Sequence, residues 1–212
     1  VKKAPPPAIS ARRRPRQRRS AELVEAILEA AVRVLVRDGG DGFTTVRVAE
    51  EAGVSVGSLY QYFPNREALL FRMQADEWKE TWGVVEEVLG DPRRAPLDRL
   101  RLGVLTFFRS ERQEAPLRRA LDDARAPFRT SPEADALVET ATARVRALLD
   151  EAIPNASVAQ RKFAADFLLV SMGAIAEEIT DQGRSRAEVD AWAEATAEMY
   201  CGYLESLSRA PR

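Results

Sequence analysis

Between Thr44 and Glu67 the chain reads TTVRVAEEAGVSVGSLYQYFPNRE, and this stretch constrains the fold more than any other. It reads as two short helices joined by a tight turn. Thr44 or Thr45 offers an N-cap oxygen, Val46 to Ala52 makes a two-turn helix, and Gly53 falls where a left-handed residue ends it. Val54 packs the turn. Ser55 caps the second helix, which runs from Val56 to about Phe63, where Pro64 disfavours helical geometry in the residue before it. Eight residues make only about 12 Å of helix.

Projected at about 100° per residue, Val56, Leu59 and Phe63 gather on one side of that second helix. Gly57, Ser58, Gln61 and Tyr62 take the other, with Tyr60 at the boundary. One side packs and the other reads. Glycine in the first turn of a short helix costs about 1 kcal/mol against alanine, so Gly57 suggests a close approach of backbone N–H groups to a phosphate. Gln61 presents a bidentate amide suited to an adenine edge, and the hydroxyls of Ser55, Ser58, Tyr60 and Tyr62 suit phosphates.

The run Thr45-Val46-x-Val48-Ala49-x-x-Ala52-Gly53-Val54-Ser55-x-Gly57-Ser58-Leu59-Tyr60-x-Tyr62-Phe63-x-x-Arg66-Glu67-x-Leu69 closely resembles the DNA-binding signature of the TetR family of bacterial transcriptional regulators. The resemblance covers about residues 20 to 72. It implies that Thr45, Ser55, Val56, Gly57, Ser58, Tyr60, Gln61, Tyr62 and Arg66 lie at the DNA. Ser58 stands where the family usually has Thr, and Arg66 where it usually has Lys.

Charge is unevenly distributed. The chain of 212 residues has a net charge of −1, yet residues 1 to 19 carry eight basic groups and no acid. The remaining 24 bases face 33 acids, which leaves the body at −9. Such a body is repelled by DNA, and a basic arm offsets that locally. Arg12, Arg13, Arg14, Arg16, Arg18 and Arg19 are therefore expected to reach phosphates or the minor groove from a disordered segment. No apolar signal region and no run of about 18 apolar residues appears, so neither secretion nor a membrane span is expected. Cys201 is the only cysteine, which excludes an internal disulfide and fits a reducing cytoplasm.

The rest of the chain keeps helical spacing throughout. Leu23, Ile27, Ala30, Ala31, Val34 and Leu35 line a first long helix, capped by Ser20 and ended at Gly39-Gly40. Phe43 is expected to close a small core with Val48, Leu59 and Phe63. Asn65 caps a fourth helix that continues through Trp78 and Trp82 to Gly90, long enough to connect two domains. A fifth helix carries Leu97, Leu100, Val104, Phe107 and Phe108, and a sixth is expected from Pro116 to about Arg125. Ser131-Pro132 starts the seventh. Capping boxes pairing Ser157 with Gln160 and Ser185 with Glu188 start the last two. The reading is an all-α chain of about nine helices. Residues 1–19 form the arm, 20–66 a three-helix DNA-binding domain and 67–212 an effector-binding and dimerisation domain.

The eighth of these helices is apolar all the way round from Phe163 to Ala176, apart from Asp166 and Ser171, and so needs burial on two sides. It is expected to pair with the last helix and with their copies in a second subunit, through Leu168, Ile175, Trp192, Tyr200 and Tyr203. The TetR resemblance implies that four-helix interface. Trp78, Trp82, Phe107, Phe108, Phe128, Phe163, Phe167 and Met172 are candidates to line a small-molecule cavity for an apolar or aromatic effector.

The chain has no histidine, no paired cysteines, no Ser-x-x-Lys and no Gly-rich phosphate loop, so no catalytic, metal or cofactor site is expected. The reading is a homodimeric regulator, in the sense of a repressor, released from a palindromic operator by a small effector. The alternatives are a ligand-independent architectural DNA binder and a helical enzyme.

Overall fold

The computed structural model describes residues 18–124 and 132–209. Eight helices and no strand occur among the described residues. They are α1 Arg18–Gly42, α2 Thr45–Glu51, α3 Val56–Tyr62, α4 Arg66–Leu89, α5 Pro96–Asp123, α6 Pro132–Ala152, α7 Val158–Asp181 and α8 Arg186–Arg209. Helix α1 starts two residues before the cap expected at Ser20, and its helical geometry breaks at Gly39, whose φ of 68° is left-handed. The expected glycine stop is therefore present as a kink.

The largest difference from the expected layout is at Pro116. Two helices were expected to meet there, but α5 runs through it without a break. A proline inside a helix removes one N–H and crowds the preceding turn, at a cost of about 3 kcal/mol. Packing on both sides offsets that cost. Before Pro116, Leu100, Val104 and Phe108 are buried in one core, and after it Leu121 is fully buried in another. That is why eight helices stand where about nine were expected.

The chain divides into two compact units. The first holds the described residues up to Glu77 and those from Pro116 to Ala134, and the second holds Trp78–Ala115 and the described residues from Asp135 on. Both α4 and α5 thus contribute to both units, whereas the sequence reading set a single boundary after residue 66.

In the first unit Ile27, Ala30, Ala31, Val34 and Leu35 of α1 are completely buried, as their spacing requires. They pack with Phe43, Val48, Leu59, Phe63, Leu69, Leu70 and Leu121. The small core expected around Phe43 is present, with each of its four members at most 1% exposed. An ion pair between half-buried Arg118 of α5 and buried Glu77 of α4 adds a polar tie within this unit.

The second unit is a helical bundle around Val85, Leu89, Val104, Phe108, Leu148, Leu149, Ala164, Leu168, Ala197, Tyr200 and Leu204. Both expected capping boxes form. Ser157 N–H donates to Gln160 Oε1 at 2.8 Å and Gln160 N–H donates back to Ser157 Oγ at 3.2 Å. Ser185 and Glu188 repeat the arrangement at 2.9 and 3.3 Å. Among the described residues no helix is long and apolar enough to cross a membrane.

Candidate nucleic-acid interface

Helices α2 and α3 are built by the chemistry their sequence carries. Thr44 Oγ1 accepts from Arg47 N–H at 3.2 Å, capping α2. Gly53 takes a φ of 67° and turns the chain. Ser55 Oγ then accepts from Ser58 N–H at 3.0 Å, capping α3. Asn65 Oδ1 accepts from Ala68 N–H at 2.8 Å, which starts α4. Every orphan donor satisfied this way removes a cost that a seven-residue helix cannot offset alone.

Helix α2 is fixed on α1 by a surface ion network. Glu51 accepts from Arg33 at 3.0 Å and from Arg37 at 2.8 Å, while Asp38 takes Arg37 at 2.8 Å and Arg47 at 3.3 Å. Hydrogen bonds from Arg37 are the main reason that the Glu51 and Asp38 carboxyls ionise below their usual range. Isolated surface pairs contribute little, but a shared network of five charges orients α2.

On α3 the expected division into packed and outward sides holds for most residues. Leu59 is completely buried, Val56 is half-buried, and Gly57, Tyr60 and Gln61 are exposed together with Ser55. Ser58 is half-buried, its hydroxyl 2.8 Å from that of Ser55. Thr45 is buried, and its Oγ1 lies 3.1 Å from the Tyr60 hydroxyl. A Cβ on Gly57 would meet nothing nearer than Ser55 Oγ at 3.8 Å, so the protein itself has room for a side chain there.

Three residues depart from the expected set, the first being Thr45, which is buried under Tyr60 and not turned outward. Tyr62 is only 7% exposed and belongs to the core of the first unit with Leu59 and Phe63. Arg66 is turned inward, donating to the carbonyls of Phe43 and Gly40. The outward surface also includes Val46, which is 48% exposed at the start of α2 and was not among the sequence candidates. Arg12, Arg13, Arg14 and Arg16 lie outside the described residues, while Arg18 and Arg19 open α1.

The second unit corrects part of the expected interface. Leu168 and Tyr200 are buried in their own subunit's core, with the Tyr200 hydroxyl 2.8 Å from Ser171 Oγ. Both were placed at the subunit boundary because their helices are apolar on more than one side. The exposed apolar residues of α7 and α8 include instead Phe163, Phe167 and Val170, at 64, 38 and 74%, and Trp192 and Met199, at 44 and 47%. Phe163, Phe167 and Val170 follow i, i+4, i+7 spacing, a signal the sequence contained. Ile175 and Tyr203 are half-buried, and Phe167 stands edge-on to Tyr203 with ring centroids 5.5 Å apart.

The expected effector residues scatter. Phe108 is core, Trp78 is 40% exposed, and Trp82, Phe107 and Met172 are half-buried against the core of the second unit. Phe128 lies outside the described residues. The Trp82 Nε1 donor is buried without a hydrogen-bond partner among the described residues. An open cleft of about 610 Å³ in the second unit is lined by Glu86, Ala136, Glu139, Thr140, Ala143, Arg144 and Ala147, and by none of the aromatic residues named above.

Comparison with known proteins covers both units. Residues 95–207 match the tetracyclin repressor-like C-terminal domain, and residues 27–73 match the bacterial regulatory proteins of the tetR family. The HTH-type transcriptional repressor KstR of Rhodococcus jostii (strain RHA1) is 31% identical over 98 residues, 46% of this chain and 45% of that protein. The match thus spans a little under half the length of that relative. FadR from Bacillus subtilis, solved in complex with stearoyl-CoA, superposes with a TM-score of 0.69 at 17% identity, over 84% of this chain and 97% of that one. SmeT of Stenotrophomonas maltophilia, the repressor of the multidrug efflux pump SmeDEF, gives 0.66 at 19% identity, over 84% of this chain and 88% of that one. These two likenesses concern the fold.

Proposed function

The chain belongs to the TetR family of bacterial regulatory proteins, and we propose that it is a homodimeric transcriptional repressor that binds a palindromic operator through α2 and α3. The outward side of α3 carries the proposal: Ser55, Gly57, Tyr60 and Gln61 are exposed together on a helix whose opposite side is locked in the core by Leu59. Phosphate contacts fall to the hydroxyls of Ser55 and Tyr60, and Gln61 reads a base edge. The basic residues from Arg12 to Arg19 add sequence-independent attraction.

Dimerisation is supported by the exposed apolar residues of α7 and α8, which a second copy of the chain would bury. Two readers then meet two half-sites, which is why the operator is taken as palindromic. Selection of bound duplexes from a random-sequence pool tests this directly. Enrichment of an inverted repeat is the expected result, and recovery of no preferred sequence would leave an architectural DNA binder.

The second unit is proposed to sense a small apolar effector beside Trp82, where a buried indole N–H has no hydrogen-bond partner among the described residues. Helix α4 runs from Arg66, just after the reader, to Leu89 in the second unit, so a ligand that shifts it changes the reader. Release from DNA requires reciprocity: a ligand that loosens operator binding is itself bound more weakly by the operator complex, by the same factor. Stearoyl-CoA is a reasoned first probe, since one protein of this fold was solved with it. Quenching of tryptophan fluorescence, titrated with and without the selected duplex, measures the coupling. Identical affinities in both titrations rule out effector-driven release by that ligand.

A further inference from the structure

The side chain of Arg66 joins the two ends of the segment that holds α2 and α3. Its Nε donates to the Phe43 carbonyl at 3.1 Å and its Nη2 donates to the Gly40 carbonyl at 2.8 Å. Its guanidinium carbon lies 5.7 Å from the centre of the Phe43 ring. Gly40 and Phe43 precede α2, and Arg66 is the first residue of α4, so the whole of α2 and α3 lies between the residues it links.

Each anchor is itself fixed. Phe43 is 1% exposed, so its ring and carbonyl cannot follow a swinging arginine. Gly40 is packed so closely on the residue that follows α5 that a Cβ there would lie 2.8 Å from Ala124 Cα, a backbone atom that cannot move aside cheaply. Gly39 breaks α1 immediately before, and carbonyls at such a helix end need donors from elsewhere. The Arg66 fork supplies two of them.

We propose that Arg66 is a positioning residue for DNA reading and not a phosphate contact. It holds the two ends of the α2–α3 segment at a fixed separation, so that Gln61 and Tyr60 meet the duplex in one orientation. An arm reaching for a phosphate would first have to release two charge-assisted hydrogen bonds to backbone. Lysine cannot replace it in this task, because a single ammonium group does not span two carbonyls as a planar fork does.

The inference rests on the reading of α2 and α3 as the DNA surface, and the test separates the two. Binding to the duplex selected by the wild-type chain is measured over a salt series for wild type, Arg66→Lys and Arg66→Gln. Circular dichroism first sets a temperature at which each is fully folded. If Arg66 positions the reader, both variants bind roughly tenfold more weakly, with the wild-type slope against salt and with reduced discrimination against a scrambled duplex. If Arg66 contacts a phosphate, Arg66→Gln lowers the slope by about 0.9 and Arg66→Lys restores binding. Wild-type affinity in fully folded Arg66→Lys would overturn the proposal even if Arg66→Gln did not fold. Failure of the wild type to select any duplex would instead overturn the reading of the surface.

Discussion

Thr45 Oγ1 and the Tyr60 hydroxyl lie 3.1 Å apart, which ties the first residue of α2 to the exposed middle of α3. Tyr60 thus couples the two short helices while remaining 40% exposed at their junction. Replacing it with phenylalanine removes that bond at a cost of roughly 0.5 to 1.5 kcal/mol and should weaken all duplex sequences alike. Gln61, one residue along, is exposed and makes no such tie among the described residues. Gln61→Ala should cost about 1 to 3 kcal/mol at one or two base pairs in each half-site and relax the preference there. Competition between the selected duplex and its point variants distinguishes the two effects, and an unchanged preference in Gln61→Ala would show that another residue reads the base.

Gly57 gives a second contrast. Because a Cβ there meets only Ser55 Oγ at 3.8 Å, Gly57→Ala should stabilise the folded chain, by up to about 1 kcal/mol. The same methyl group stands on the outward side of α3, where it holds the helix backbone away from the duplex. Operator binding should fall on the order of tenfold while the thermal midpoint rises. A variant that is both more stable and equally tight would mean that no phosphate approaches this turn.

What the sequence disclosed, and what it did not, follows the distance between interacting groups. Caps at Ser55, Asn65, Ser157 and Ser185 were legible because each joins groups three residues apart, so the local pattern contains both partners. The partners of Arg66 lie 23 and 26 residues away, and it was the resemblance to the TetR signature that placed it at the DNA. Tyr62 was misplaced because an angular projection treats each residue of a helix equally, whereas a side chain in the last turn is set by what the next segment buries. Pro116 was read as a boundary from its own backbone chemistry, but buried residues on both sides carry the helix through it. Leu168 and Tyr200 show the same limit. A helix apolar all round reveals that two surfaces must be covered, not which residues face which.

Acid should loosen the turn between α4 and α5. Asp91 accepts hydrogen bonds from the side chain and backbone of Arg93, and these hold its carboxyl near pKa 2, down from 3.8. A folded pKa below the unfolded one means that the contribution is fully present above 3.8 and is lost as pH falls from there toward about 2. Asp91→Asn should therefore lower the urea midpoint near neutral pH, and the gap from wild type should narrow only below about 3.8. A gap that stays constant across that window would mean that Asp91 stabilises the turn by shape and not by charge.

Subunit association offers the sharpest test of the second unit. Val170 is 74% exposed at the C-terminal end of the apolar stripe on α7, which Phe163 and Phe167 precede along the helix. Its side chain makes no part of its own subunit's core, so Val170→Glu should leave the fold and thermal unfolding of the isolated chain nearly unchanged. In a dimer that buries this stripe, the same carboxylate is trapped without a partner on both sides of a two-fold axis, since an isologous interface repeats every substitution. The variant should sediment as a monomer where the wild type sediments as a dimer. Its binding to the selected inverted repeat should drop toward the non-specific level, roughly a thousandfold or more, because one seven-residue reader holds a single half-site. Leu168→Ala is the matched control: it removes a side chain from the subunit's own core, so it should lower stability by about 2 to 5 kcal/mol while the folded fraction still dimerises. A Val170→Glu protein that remains dimeric would place the interface on another surface of the second unit and remove α7 from it.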